Sequence, residues 1–172
     1  MMRAIRSGSP EDPLSALLGR LIEKGVRRRV FQNTSAPKVS KSGKTTYELV
    51  WHKGRIFQLL LTPSKGLISI PNLLPALDRK STLYRALVNF IAEFPAEARP
   101  EHRRVMADKA SLAVSLRGGM AQLSVTSRDG DLEYAFEKMV QAVNEVFLLF
   151  VISGEYFEYR VKHLGAHPDW GV

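Results

Sequence analysis

Apolar positions recur along this chain with two periods, three to four residues in some stretches and two in others. Leu14, Leu17, Leu18, Leu21 and Ile22 form one stripe at helical spacing behind Asp12-Pro13. An Asp can cap a helix there, and a Pro fits its first turn, where the missing N–H has no partner. The spacing predicts a helix from Asp12 that Gly25 stops. From Thr46 the period falls to two. Tyr47, Leu49 and Trp51 alternate with Thr46, Glu48 and Val50, His52-Lys53-Gly54 supplies a turn, and Phe57, Leu59 and Leu61 return on one face. Leu67–Ile70 reads as a third strand, and Pro71 as the end of the run. Three strands with tight turns form an antiparallel meander.

Helical spacing resumes with Leu83, Tyr84, Leu87, Val88, Ile91 and Phe94, capped by Asp78 or Ser81 and closed by Pro95. Residues 95–109 are polar and carry two prolines, so they read as a linking loop and a hinge. Leu112, Val114 and Leu116 then pair with Ala121, Leu123 and Val125 across Gly118-Gly119, a dipeptide that accepts positive φ at no steric cost. Asp131 caps a last helix whose stripe runs from Leu132 to Phe150. Over Val146–Ile152 the apolar residues surround that helix, so either the chain's own sheet or a second subunit is expected to cover them. Ser153-Gly154 bends or ends it before a short helical tail.

This order predicts an α+β class: an antiparallel sheet, built from a three-strand meander plus a hairpin, with helices packed on it in the order α-βββ-α-ββ-α. The length of 172 residues suits one domain, expected over residues 12–165, with a flexible N-terminus over 1–11 and a C-terminal tail over 166–172. Residues 33–43, rich in Ser, Lys, Gly and Pro, read as a loop after a short strand begun by Val30 and Phe31. The absence of cysteine excludes disulfides, a thiol nucleophile and thiolate metal sites. No apolar run approaches the ~20 residues of a membrane helix, and the first residues lack the apolar core of a secretory signal. The expectation is a cytoplasmic protein with no membrane partner.

Charge changes the picture further. The net charge is +8, and residues 1–65 carry 13 basic against 4 acidic side chains, whereas the rest is nearly balanced. No acid occurs between Glu23 and Glu48. Arg27, Arg28, Arg29, Lys38, Lys41 and Lys44, with Lys53 and Arg55 after them, are therefore candidate contacts to phosphates or to an acidic partner. Phe31, Tyr47 and Trp51 lie in the same segment, and rings among cations are what single-strand nucleic-acid binders use. Rings alternating along a strand are more often core. Phe147, Leu148, Phe150 and Val151, on the over-apolar stretch, are candidate dimer contacts.

Motifs for chemistry are missing. Ser42-Gly43-Lys44-Thr45 ends like a phosphate-binding loop, but the glycine required five positions before Gly43 is Lys38, and Thr45 begins a strand rather than a helix. His163, His167 and Asp169 have a superficially metal-like spacing that Gly165 and Pro168 interrupt. Glu93, Glu97 and Glu101 cannot share a helix face across Pro95 and Pro100. No catalytic residue, cofactor or metal is expected.

The element order, from the Leu14–Ile22 helix through the 45–70 meander, the 79–94 helix, the 111–126 hairpin and the 131–152 helix, resembles that of the type III secretion chaperone-like fold. The resemblance implies a homodimeric binding protein that presents strand or helix surfaces to an extended partner segment. Secretion chaperones are usually acidic, and this chain is basic. Two functions are thus expected to compete: a non-enzymatic, chaperone-like, homodimeric protein-binding module, and a sequence-tolerant nucleic-acid-binding protein using the basic N-terminal face.

Overall fold

The computed structural model describes residues 12–167, so the N-terminus expected over 1–11 and tail residues 168–172, Asp169 among them, lie outside it. Helix α1 (Pro13–Arg27) starts where expected: the Asp12 carboxylate accepts from the N–H groups of Leu14 and Ser15 at 2.9 and 3.2 Å. It does not stop at Gly25. The backbone runs on to Arg27 and closes with Arg29 in the left-handed region (φ 59), while Val30 N–H donates to the Gly25 carbonyl at 2.9 Å and Arg29 N–H to that of Val26 at 3.0 Å. These two bonds make a Schellman cap. Gly25 serves packing instead. A Cβ there would lie 2.5 Å from the Phe31 ring.

The strands are β1 (Asn33–Thr34), β2 (Lys38–Val39), β3 (Thr45–Trp51), β4 (Arg55–Thr62), β5 (Leu67–Leu74), β6 (Ala110–Arg117) and β7 (Met120–Ser127). They form one antiparallel sheet in the order β1-β3-β4-β5-β7-β6, with β2 also on β3. The α+β class and the two main groups of strands are as the sequence pattern predicts, but β1 and β2 fall within the expected 33–43 loop while Val30 and Phe31 form no strand, and the hairpin joins the meander through β5 and β7. Strand β5 runs past Pro71 to Leu74. Proline is tolerated because the register shifts between Ile70 and Leu74. Where β5 leaves β4, the Asn72 side chain takes over the pairing, accepting from Gln58 N–H at 2.9 Å and donating to the Ile56 carbonyl at 3.0 Å.

One sheet face is the core. Leu49, Phe57, Leu59, Leu61, Ile68, Ile70, Leu123 and Val125 are almost fully buried under α1, α2 (Thr82–Ala92) and α3 (Leu132–Glu145). Each side chain of this size removed from water contributes ~1.5–3 kcal/mol. Ser81 and Asp131 cap α2 and α3 through the N–H groups of Tyr84 and Tyr134. Phe31, Tyr47 and Trp51 all belong to this core at 1%, 4% and 4% exposure, so none of them is placed to stack on a base.

The segment 95–109 is pinned rather than hinged. Glu145, buried on α3, accepts hydrogen bonds from Arg99, Arg103 and Gln141. Lys138 Nζ donates to the His102 carbonyl at 2.9 Å, and Val105 N–H to that of Phe94 at 2.9 Å. Desolvation pushes the Glu145 carboxyl up, but the bonds from Arg103, Arg99 and Gln141 outweigh it, and the group is held below the usual carboxylate range.

Candidate functional site

The site is built around two turns of backbone that depart from regular geometry. The first lies at the end of α3, where residues Val146–Phe150 wind as a π-helix and Val151 N–H donates to the Val146 carbonyl at 2.9 Å. Single π-turns of this kind often mark functional positions. The wider turn sorts the apolar stretch that the sequence leaves undivided. Val146 and Val151 are buried in the core. Phe147 stacks on His52 with ring centroids 4.7 Å apart and meets Phe57 edge-on at 5.5 Å, and Phe150 lies against Phe90 and Tyr156. Leu148, Leu149 and Ile152 are left 59%, 51% and 53% exposed. Of the candidate dimer contacts, Val151 is thus occupied inside the chain, Phe147 and Phe150 are half-buried against intramolecular rings, and Leu148 remains on the surface.

The second turn is the β3–β4 connection. His52 (φ 43), Lys53 (φ 63) and Gly54 (φ 81) are all left-handed. Two of them are not glycine, and such residues are held there at a cost of about 1–3 kcal/mol each only when their surroundings enforce it. The turn folds His52 between two rings, stacked on Trp51 at 4.7 Å and on Phe147. Burial, and then the neighbouring Arg55, push its pKa down to about 4, with a hydrogen bond from the ring to Asn144 opposing. His52 is therefore neutral near pH 7. Arg55, half-buried at the start of β4, lies 5.5 Å from the Phe57 ring centroid and 5.1 Å from that of Phe147.

A third element closes the site. Helix α4 (Phe157–Leu164) is tied to the sheet by Tyr159 Oη, which donates to the Pro75 carbonyl at 2.6 Å. Burial pushes that phenol up. Between the β3–β4 turn, the α3 end and α4 lies a cavity of about 310 Å³. Its lining includes the polar His52, Lys53, Arg55 and Arg160 and the apolar Phe147, Leu148, Val151 and Leu164. No acid is among its described lining residues. His52 Nε2 and Arg55 Nη1 are buried atoms without a hydrogen-bond partner.

The fold divides the remaining candidates. Arg27, Arg28 and Arg29 are exposed at the end of α1, just before β1, which lies opposite Val50. Lys38, Lys41 and Lys44 are exposed at the other end of β3, since Lys38 lies opposite Thr46. At ~3.3 Å per residue the two register positions are separated by about 13 Å along the strand. Lys38 also lies 3.7 Å from Glu48. Lys53 and Arg55 go to the cavity instead, where they meet Phe147, Leu148 and Val151 from the other candidate group.

His52, Arg160 and Leu164 carry no signal in the sequence that joins them to this cavity, because α4 arrives from about a hundred residues away. Gly165 ends α4 in the left-handed region (φ 68), between His163 and His167. Among the described residues no group of three or more His, Asp or Glu is arranged to hold a metal ion, and no helix is long and apolar enough to cross a membrane. Comparison with known protein families, with characterised proteins and with solved structures finds no match to this chain.

Proposed function

We propose that this chain is a non-enzymatic protein-binding module that works as a homodimer joined through the end of α3. One observation carries the reading: Leu148, Leu149 and Ile152 form a ridge of large, half-exposed aliphatic side chains. Contiguous exposed apolar surface marks interaction sites. No charged residue occurs between Glu145 and Glu155, so the ridge itself carries no charge. The chaperone-like part of the reading draws on β6. This eight-residue strand lies at the edge of the sheet, and an edge offers its outer row of backbone groups to an extended segment.

Sedimentation at micromolar concentration tests the dimer. The wild type is expected to sediment as a dimer, and a Leu149→Lys/Ile152→Lys variant with unchanged circular dichroism as a monomer. A monomeric wild type over that range would overturn the reading.

The nucleic-acid reading keeps the exposed Arg27–Arg29 and Lys38–Lys44 clusters but no stacking ring from the basic segment. It requires contacts to backbone phosphates alone, with affinity that falls ~10³-fold or more over a few-fold rise in salt when about six phosphates are engaged. Absence of oligonucleotide binding at low salt would remove it.

A further inference from the structure

We propose that the cavity between the β3–β4 turn and α4 binds a small organic acid, its carboxylate held by Arg55 and its apolar tail against Phe147, Leu148 and Leu164. Four observations converge on this site, and none depends on the dimer. Arg55 has no acid within ion-pair distance among the described residues, and its buried Nη1 has no hydrogen-bond partner. A guanidinium taken partly out of water without a counter-charge is costly, and a carboxylate in the cavity beside it supplies that charge. The second observation is that Lys53 and Arg160 line the same cavity and no acid is among its described lining residues. With its one proton on Nδ1 toward Asn144, the neutral His52 ring leaves Nε2 as an acceptor and shapes the cavity wall without binding the anion.

Backbone strain is the third. Two consecutive non-glycine residues, His52 and Lys53, sit in the left-handed region at the rim of this cavity. Strain of this kind gathers at ligand clamps. The fourth is shape. A space of about 310 Å³ falls at the lower end of small-molecule pockets, and Phe147, Leu148, Val151 and Leu164 give it a large apolar lining. That apolar lining gains nothing from inorganic phosphate or sulfate. It favours a monoanion with an aliphatic tail.

The test uses hexanoate as the probe, titrated into the full chain and followed by calorimetry and by the shift in melting temperature. Hexanoate is expected to bind and to raise the melting temperature. Acetate, lacking the tail, should bind at least tenfold more weakly, and hexanol, lacking the charge, should not bind. Arg55→Gln should lower hexanoate affinity at least tenfold. Because Arg55 also packs on Phe57 and Phe147, a second variant guards against simple misfolding. Leu164→Glu places a carboxylate in the cavity while leaving Arg55 in place, and is expected to abolish binding in a chain at least as stable as the wild type. Inorganic phosphate competing as well as hexanoate, or hexanoate binding that both variants leave unchanged, would overturn the proposal. So would the absence of hexanoate binding to the wild type at millimolar concentration.

Discussion

Replacing Gly25 by Ala separates two effects of opposite sign. In the interior of an exposed helix the change from Gly to Ala is favourable by ~1 kcal/mol, because Ala loses less backbone entropy. At this position the added Cβ would lie 2.5 Å from Cε2 and 2.7 Å from Cδ2 of Phe31, closer than such atoms can approach. The ring cannot move aside easily. It is 1% exposed, and the edge of Trp51 lies 4.9 Å from it centroid to centroid. Overpacking of this kind costs ~1–3 kcal/mol, which exceeds the helix gain. Gly25→Ala should therefore destabilise the chain by about 1 kcal/mol net, read as a lower urea midpoint with an unchanged slope. Phe31→Leu in the same background should recover part of the loss, since it removes the ring edge the Cβ meets. A gain of stability in Gly25→Ala alone would refute the reasoning. The consequence reaches the cavity, because Phe31 packs on Trp51, Trp51 stacks on His52 and His52 on Phe147.

Other expectations follow from single contacts. Glu145→Gln leaves Arg99 and Arg103 without their counter-charge, so it should cost about 3 kcal/mol in urea unfolding, the range for breaking a largely buried ion pair. Arg29→Gly relieves the left-handed backbone at the end of α1 and should raise stability by about 1 kcal/mol, read as a melting temperature a few degrees higher. Stability should fall as pH drops from about 6.5 toward 4, because the unfolded chain protonates His52 near its ordinary value while the folded one resists until about 4. His52→Gln should flatten that part of the profile in a pH series of melting curves. The further loss below pH 4.5, from Glu145, whose carboxyl the fold holds down, should remain.

Much of the fold is legible in the sequence because periodicity reports burial. The alternation Tyr47–Trp51 and Phe57–Leu61, and the helical stripes from Leu14 and Leu132, all lie on the core face. Local rules failed where tertiary contacts supplied what the residue could not. Gly25 reads as a stop, yet the helix passes through it, since Arg29 supplies the left-handed cap and Phe31 needs the empty space. Pro71 reads as the end of a strand, yet Asn72 carries the pairing across the irregularity. The polar stretch 95–109 looks free because its anchor, Glu145, lies some forty residues away. The same limit applies to the site. Charge counting gathers Arg27–Arg29 with Lys38–Lys44, but β3 holds them apart, whereas Arg55 and Phe147 meet without any local pattern that pairs them.

The end of α3 is where the functional reading is most exposed to disproof. The chain has no cysteine, so one introduced thiol reports one position. Leu149→Cys and Ile152→Cys on the ridge, with Ser42→Cys in an exposed loop as the control, can each be treated with a short bismaleimide at micromolar concentration. In a two-fold interface the ridge of one copy faces that of the other, so a cysteine on it is brought near its own counterpart. Cross-linked dimer is expected to accumulate from the ridge variants and not from Ser42→Cys, and to disappear when Leu148 is also changed to Lys. Equal cross-linking at all three positions, or none on the ridge, would contradict a homodimer joined through α3.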